Sequence, residues 1–311
     1  MLETLFPEAM EVVSVTTRLE HPIVVGAAGT GEGDVALEWA ARTAARTGAG
    51  LVVVHASEPE ALAARMAGGE AVAVTAVLEA EEETVADLRA HVTALGERLG
   101  VEARLDTSRG SPVAALLAHQ DSAALLVVGT GRKSAVEEFL LGSTSLGVAA
   151  HAHRPVAVVN PGVDVEALTH GQIGLGVDGS RDSARAARAA LALADLTGAA
   201  VTALSTWFLE VVDGYVVTEP DSPEWAAVER RHAEAVVRAL QPAVEAYPQV
   251  PVDWEVRRGP VVPTLLDAAR AWDALVVGSR GRGAVRGRLL GSVSQRLMRA
   301  APCPVVVSRA S

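Results

Sequence analysis

Short apolar runs alternate along the chain with longer amphipathic stretches. In the first half, the apolar runs have the length and composition of strands and lie at 22–26, 51–56, 101–106, 124–129 and 155–159. Helix signals separate them. Asp34 and Gly48 occupy the places of an N-cap and a C-cap, and a long helix is predicted over about 71–99. Strands that alternate with helices predict an α/β domain, with a parallel sheet covered by helices on both faces.

The same pattern begins again after residue 170, which predicts a duplicated domain. The matched blocks are 22–33 with 172–183, 48–56 with 198–206, 101–112 with 252–260, 125–132 with 274–281, and 152–159 with 301–308. The offset is 150 residues between Gly26 and Gly176, and 149 between Gly129 and Gly278. Such a long, steady period indicates tandem domains and not a solenoid. The predicted divisions are a tail (1–20), a first domain (21–160), a linker (161–170) and a second domain (171–311).

Composition narrows the class of protein. The formal net charge of −11 argues against binding to nucleic acid or to anionic membranes. Cys303 is the one cysteine, so no internal disulfide is possible, which fits a cytoplasmic protein. No apolar run reaches the ~18 residues of a membrane span, and the acidic N-terminus does not resemble a signal peptide.

A glycine-rich loop carries the clearest chemical signal. GSRGRGAVRGRLLGS (278–292) follows an apolar run and precedes an amphipathic helix. Glycines allow an anion to approach the backbone closely, and a helix start presents unpaired N–H groups. The loop carries Arg280, Arg282, Arg286 and Arg288 and no acid. These residues fit a phosphate cradle, and a solvated basic loop is the alternative, above all for Arg286 and Arg288.

The chain resembles the universal stress protein family over nearly its whole length, as two tandem domains. Gly278, Gly281, Gly291 and Ser292 have the spacing G-x2-G-x9-G-S of that family's ATP-binding loop, and GVDGS (176–180) is similar to its first-strand signature. The resemblance implies two Rossmann-like (HUP-type) domains. Each would hold a five-stranded parallel sheet of order 3-2-1-4-5.

The resemblance also implies a nucleotide site in the second domain. Asp178 would face the ribose and adenine, because a carboxylate accepts hydrogen bonds from hydroxyls. The backbone near Thr206 would meet the adenine edge. The glycine loop and the start of the last helix would donate backbone N–H groups and hydroxyls to the phosphates. The full set of expected site residues is Gly176, Val177, Asp178, Thr206, Val277, Gly278, Arg280, Gly281, Gly291, Ser292, Val293 and Ser294.

The first domain departs from this pattern. It has Ala28 where the second has Asp178, and Arg132 where the second has Gly281, with two further acids at 137–138. We therefore expect weak or no ATP binding in the first domain. Because the two losses fall on opposite sides of one predicted pocket, they also suggest that both positions contact a ligand.

Other polar residues give weaker signals. The histidines and Cys303 have no familiar metal-ligand spacing, and Ser180 and Ser292 lack an evident His/Asp pair, so we predict no metal site and no catalytic residues. Glu81, Glu82 and Glu83 are interpreted as a solvated helix start that the helix dipole favours. The aromatic residues after the second strand of the second domain suit a packed loop, with a flap over the nucleotide or an interface as alternatives; they are Trp207, Phe208, Tyr215 and Trp225.

The predicted function is that of a cytoplasmic, nucleotide-dependent stress regulator or sensor that binds ATP, with or without Mg²⁺. A slow ATPase or nucleotidyl-transferring enzyme and a nucleotide-free interaction protein stay open as alternatives. So does the choice among ATP, ADP, AMP and cyclic AMP. The resemblance further implies that the two domains form an internal pseudo-dimer through their final strands, and we expect a homodimer of the chain.

Overall fold

The computed structural model describes residues 21–29, 31, 34–58, 71–131, 141–209, 211–212, 215–217, 219–220, 222–283 and 289–309. These residues divide into two compact units, the first of which ends at Pro161 and the second of which begins at Gly162. No helix in the described ranges is both long enough and apolar enough to cross a membrane.

The first unit is a parallel sheet with intervening helices. Its elements are β1 (Ile23–Gly26), α1 (Val35–Thr47), β2 (Leu51–Ser57), α2 (Ala71–Leu99), β3 (Ala103–Arg109), α3 (Pro112–Ala118), a 3₁₀ turn (Gln120–Ser122), β4 (Leu125–Gly129), α4 (Ser143–His151) and β5 (Val156–Val159). All strand pairs are parallel, in the order β3-β2-β1-β4-β5.

The second unit repeats this architecture. Its elements are β6 (Gln172–Gly176), α5 (Arg181–Thr197), β7 (Ala200–Trp207), the short β8 (Val211–Val212) and β9 (Tyr215–Val216), α6 (Pro223–Ala246), β10 (Val252–Arg258), α7 (Val261–Ala268), a 3₁₀ turn (Ala269–Ala271), β11 (Ala274–Gly278), α8 (Ser292–Ala300) and β12 (Val305–Ser308). The order is β10-β7-β6-β11-β12, all parallel, and β8 pairs with β9 antiparallel. The predicted fold class and strand order are confirmed in both units.

Local sequence accounts for the helix boundaries. The carboxylate of Asp34 accepts hydrogen bonds from the amides of Ala36 and Leu37, at 3.0 and 3.2 Å, and Gly48 ends α1 with a φ of 63°. Ser180 caps α5 in the same way, through the amide of Ser183. A polar side chain accepts from amides at the start of each of these helices and so fixes where it begins. The cap at Asp34 is the one that the sequence predicts.

The two units differ in the connection that follows their first strand. Gly29 and Gly179 correspond, with φ values of 72° and 78°, but α1 begins nine residues after β1 ends, whereas α5 begins five residues after β6 ends. The ungapped match of 172–183 with 22–33 therefore holds as far as these two glycines and is wrong beyond them.

Candidate functional site

A cavity of about 430 Å³ opens at the carboxyl ends of β6, β7 and β11, the edge of a parallel α/β sheet where ligands bind. All twelve predicted site residues line it: Gly176, Val177, Asp178, Thr206, Val277, Gly278, Arg280, Gly281, Gly291, Ser292, Val293 and Ser294. The lining residues outside that set are Ser183, Leu204, His232, Val261, Leu265, Ser279, Arg282, Gly283 and Leu290. Arg286 and Arg288 lie outside the described residues.

One part of the cavity is apolar and narrow. Leu204 comes from β7 and Val277 from β11, the strands on either side of β6, and Leu265 comes from α7. A Cβ added at Gly176 would lie 3.1 Å from Val277 and 3.5 Å from Leu265. Glycine at this position therefore lets Val277 and Leu265 pack close to the strand, and together with Leu204 they line an apolar slot on one side of the cavity.

The start of α8 supplies hydrogen-bond donors. Its N-cap, Gly291, has no side chain to cap it, and Ser292 and Val293 are exposed. Among the described residues, no hydrogen-bond acceptor meets the amides of residues 292–294. The hydroxyl of Ser294 is not available to a ligand, because it donates to the carbonyl of Ser279 at 3.0 Å. The expectation of a Ser294 hydroxyl on phosphate is therefore wrong, and its amide remains.

The glycine loop itself presents fewer amides than its sequence suggests. The amide of Ser279 donates to the carbonyl of Ser308 at 2.8 Å, and that of Gly291 donates to the carbonyl of Ser279 at 2.7 Å. The amides of Arg280 and Arg282 donate to aspartate carboxylates. By contrast, the amide of Gly281 has no hydrogen-bond acceptor among the described residues. Arg280 can thus reach a ligand only through its side chain.

Asp178 ties the loop to the start of α5. One carboxylate oxygen accepts from the amide of Ser180 at 3.0 Å and from the hydroxyl of Ser183 at 2.6 Å. The other accepts from the amide of Arg282 at 2.9 Å. Burial would raise the pKa of Asp178, but these hydrogen bonds from Ser183, Ser180 and Arg282 outweigh it and hold the pKa below its ordinary value of 3.8.

The lowered pKa of Asp178 leads to a prediction about acid stability. A depressed pKa in the folded state adds stability that is fully present above the ordinary value of 3.8 and is lost as the pH falls through the lower folded value. We expect the free energy of unfolding of wild type to exceed that of Asp178→Asn by a constant amount between about pH 5 and 7, and the difference to shrink below about pH 4. Urea unfolding at each pH measures it, and a difference that does not vary with pH would contradict the assignment.

Gly281 packs directly on Asp178. A Cβ added at Gly281 would overlap the carboxylate oxygen that accepts from Arg282. The joint presence of Ala28 and Arg132 in the first domain therefore has an explanation without a ligand: the two positions touch each other. Their joint change is therefore not by itself evidence for a ligand, and contact of both positions with a ligand stays a prediction.

Comparison with known proteins is decisive for the family. The model of the universal stress protein family matches residues 20–160 and again 170–309. The chain belongs to the universal stress protein family. A universal stress protein of Mycolicibacterium smegmatis is 32% identical over 300 residues, covering 95% of this chain and 99% of that protein. Universal stress protein Rv2005c of Mycobacterium tuberculosis is 30% identical over 307 residues, covering 94% and 99%.

A solved structure supports the fold of this universal stress protein. The crystal structure of a universal stress protein from Archaeoglobus fulgidus DSM 4304 superposes with a TM-score of 0.66. It covers 94% of this chain and all of that one, at 18% identity. The tandem arrangement of two α/β units is thus shared with relatives of the same length.

The first unit of this universal stress protein has a cavity at the corresponding place, with a volume of about 610 Å³. Ala28 lines it where Asp178 lines the second cavity, and Gly142 and Ser143 line it at the start of α4. Like α8, α4 has a glycine N-cap without a side-chain hydrogen bond. Residues 132–140, and with them Arg132 and the two acids, lie outside the described residues. Weak nucleotide binding by the first domain stays a prediction.

Sequence reasoning missed two buried residues at the second cavity. Asp182, in the first turn of α5, bonds to the hydroxyl of Ser279 and the amide of Arg280. His232, on α6, lies 3.0 Å from the hydroxyl of Ser205 through Nδ1. An acid in a first helical turn is expected on any helix, so nothing local distinguishes Asp182. Likewise, no short-range pattern links a helix histidine to a strand serine 27 residues away.

Three other interpretations can be assessed. Glu81 is not merely solvated: it accepts from His55 Nε2 at 3.0 Å and from the hydroxyl of Ser57. Cys303 is buried, and burial raises the pKa of its thiol to about 12, as suits a small apolar residue. Trp207 packs edge-to-face on Trp225 with ring centroids 4.7 Å apart, which agrees with a packed loop. No group of metal-binding side chains occurs among the described residues.

Proposed function

We propose that this universal stress protein binds ATP in the cavity of its second unit and acts as a cytoplasmic, nucleotide-dependent stress regulator or sensor. The observation that carries the proposal is the uncapped start of α8 beside the amide of Gly281, in one cavity with an apolar slot. Amides at a helix start attract anions, and the slot suits a base.

The phosphates would lie at α8. The amides of Ser292, Val293 and Ser294 lack partners among the described residues, as does that of Gly281. The exposed hydroxyl of Ser292 adds a further donor. The positive end of the helix dipole favours negative charge at this point. Together these groups would form a donor set for phosphate oxygens.

The nucleoside would lie between the strands and α7. Asp178 already accepts three hydrogen bonds. A carboxylate has about four acceptor positions, so Asp178 can accept one more hydrogen bond, from a ribose hydroxyl. Thr206 at the end of β7 and Leu265 on α7 would border the base. The apolar slot and the single open acceptor position together fit a nucleoside.

Efficient catalysis is not part of the proposal. Phosphoryl transfer needs positioned metal ligands and a group that orients the attacking water. The carboxylates of Asp178 and Asp182 both accept hydrogen bonds from the loop, and we assign neither of them to a metal. Mg²⁺ would therefore enter as a complex with ATP.

A charge placed at the start of α8 tests the site. Ser292 and Ser143 are both the first residue of a helix with a glycine N-cap, and both are exposed. An aspartate there stabilises a helix through the dipole, so neither variant should unfold. We expect Ser292→Asp to weaken ATP binding at least about tenfold, because it repels the phosphates at a cost of roughly 1.4 kcal/mol or more. Calorimetric titration of the full chain measures this.

Ser143→Asp is the matched control for the first cavity. We expect it to change ATP affinity less than twofold. Weakening by Ser143→Asp alone would move the site to the first unit and contradict the proposal.

Wild type that shows no adenine absorbance after purification and no thermal shift with ATP would favour a nucleotide-free interaction protein. Titration with ADP, AMP and cyclic AMP ranks the ligands, and we expect affinity to rise with the number of phosphates. Light scattering tests the predicted homodimer.

A further inference from the structure

Asp182 is a buried anion directly behind the glycine loop. The residue is 5% exposed and lies in the first turn of α5. One oxygen, Oδ2, accepts from the hydroxyl of Ser279 at 2.9 Å and from the amide of Arg280 at 3.0 Å, and it lies 3.6 Å from Nε of Arg280. Burial of a carboxylate is costly unless it is hydrogen-bonded, so these contacts hold the side chain in one place.

The loop approaches this helix as closely as glycine permits. A Cβ added at Gly278 would lie 2.7 Å from Cβ of Asp182. Counted from the caps Ser180 and Asp34, the counterpart of Asp182 in the first unit is Ala36, and there a Cβ added at Gly129 would lie 3.4 Å away. The second unit thus has a carboxylate, and a tighter approach, where the first has a methyl group.

Two carboxylates therefore anchor alternate amides of the loop. Asp182 holds the amide of Arg280, and Asp178 holds that of Arg282. The amide of Gly281 lies between these two anchored neighbours. We propose that Asp182 is a positioning residue for phosphate binding: it fixes the loop so that the Gly281 amide and the Arg280 side chain meet the phosphates of the ligand.

The negative charge of Asp182 would by itself weaken the binding of phosphates. A buried carboxylate repels an anionic ligand, so Asp182 can favour binding only through the hydrogen bonds that it accepts. Asparagine at this position keeps an oxygen that can accept from both the Ser279 hydroxyl and the Arg280 amide, as Oδ2 does, and it removes the charge. Alanine removes both the hydrogen-bond acceptor and the charge. The two substitutions therefore separate positioning from electrostatics.

The inference rests on the proposed function, so its first test uses no nucleotide. Amide hydrogen exchange of the full chain should show a slow Arg280 amide in wild type and in Asp182→Asn. In Asp182→Ala we expect this amide to exchange at least about tenfold faster, because its bond to the carboxylate is lost. The amides of Leu275 and Val276, in the buried strand β11, should not change. Fast exchange of Arg280 in wild type would overturn the anchoring.

The second test compares ATP with adenosine. We expect Asp182→Ala to weaken ATP binding about tenfold and adenosine binding less than twofold, and Asp182→Asn to bind ATP at least as tightly as wild type. Asp267→Ala, at an exposed position of α7 outside the cavity lining, is the control and should match wild type. Equal ATP affinity of wild type and Asp182→Ala, or equal loss for ATP and adenosine, would overturn the positioning role. Failure of wild type to bind ATP would instead overturn the proposed function.

Discussion

Gly281→Arg, which introduces the residue of the first domain, is expected to weaken ATP binding at least about tenfold and to lower the free energy of unfolding by about 1–3 kcal/mol. The new Cβ would overlap the carboxylate oxygen of Asp178 that accepts from the Arg282 amide. The loop must then move, and the Gly281 amide moves with it. Calorimetric titration and urea unfolding of the full chain measure the two effects.

The loss of stability caused by a side chain at position 281 should depend on Asp178. In an Asp178→Ala background, Gly281→Ala should cost less stability than in wild type, by a coupling of about 0.5–3 kcal/mol, since the two residues touch. ATP binding should not recover, because the loop has lost its anchor. Gly283→Ala is the control: none of the described residues lies within 4 Å of a Cβ there, so we expect a change within about 0.5 kcal/mol. An equal cost of Gly281→Ala in both backgrounds would show that the contact with Asp178 is not the cause.

Gly174→Val is expected to destabilise the second unit by at least about 3 kcal/mol, at the upper end of overpacking. Gly174 lies in the central strand β6, and a Cβ there would overlap the indole ring of Trp272. Trp272 is 4% exposed, so the ring cannot turn out to solvent without loss of its packing. Scanning calorimetry of the full chain measures the effect, and the transition of the first unit should stay in place.

The first unit shows how this cost can be relieved. Its residues at the corresponding places are Val24 in β1 and Ala123 after the 3₁₀ turn, and both are fully buried. The first unit thus has a larger and a small side chain at the two places where the second unit has glycine and tryptophan. Trp272→Ala alone should cost about 3–5 kcal/mol. We expect the double variant Gly174→Val/Trp272→Ala to cost clearly less than the sum of the single variants. A strictly additive loss would show that the smaller side chain does not relieve the cost.

The fold was largely predictable from the sequence, for a physical reason. Apolar periodicity and caps are local signals, and they placed the ends of α1 at Asp34 and Gly48 where the structure has them. The long helix was also placed correctly, over Ala71–Leu99. Because the pattern repeats, the strands and helices predicted in the first domain also predicted their counterparts in the second. The shorter β6–α5 connection was not predicted, because the ungapped match between the two domains continued through polar residues that carry no periodicity.

The candidate site was predictable as a set of positions but not as a set of interactions. The sequence by itself determined the family resemblance, and with it twelve positions that all line one cavity. Only the tertiary structure decided which amides are already bonded, that Gly281 packs on Asp178, and that Asp182 lies behind the loop. Asp182 and Arg280 are 98 residues apart in the chain. Hydrogen bonds over such distances depend on how strands and helices pack, and no local pattern of residue types encodes them.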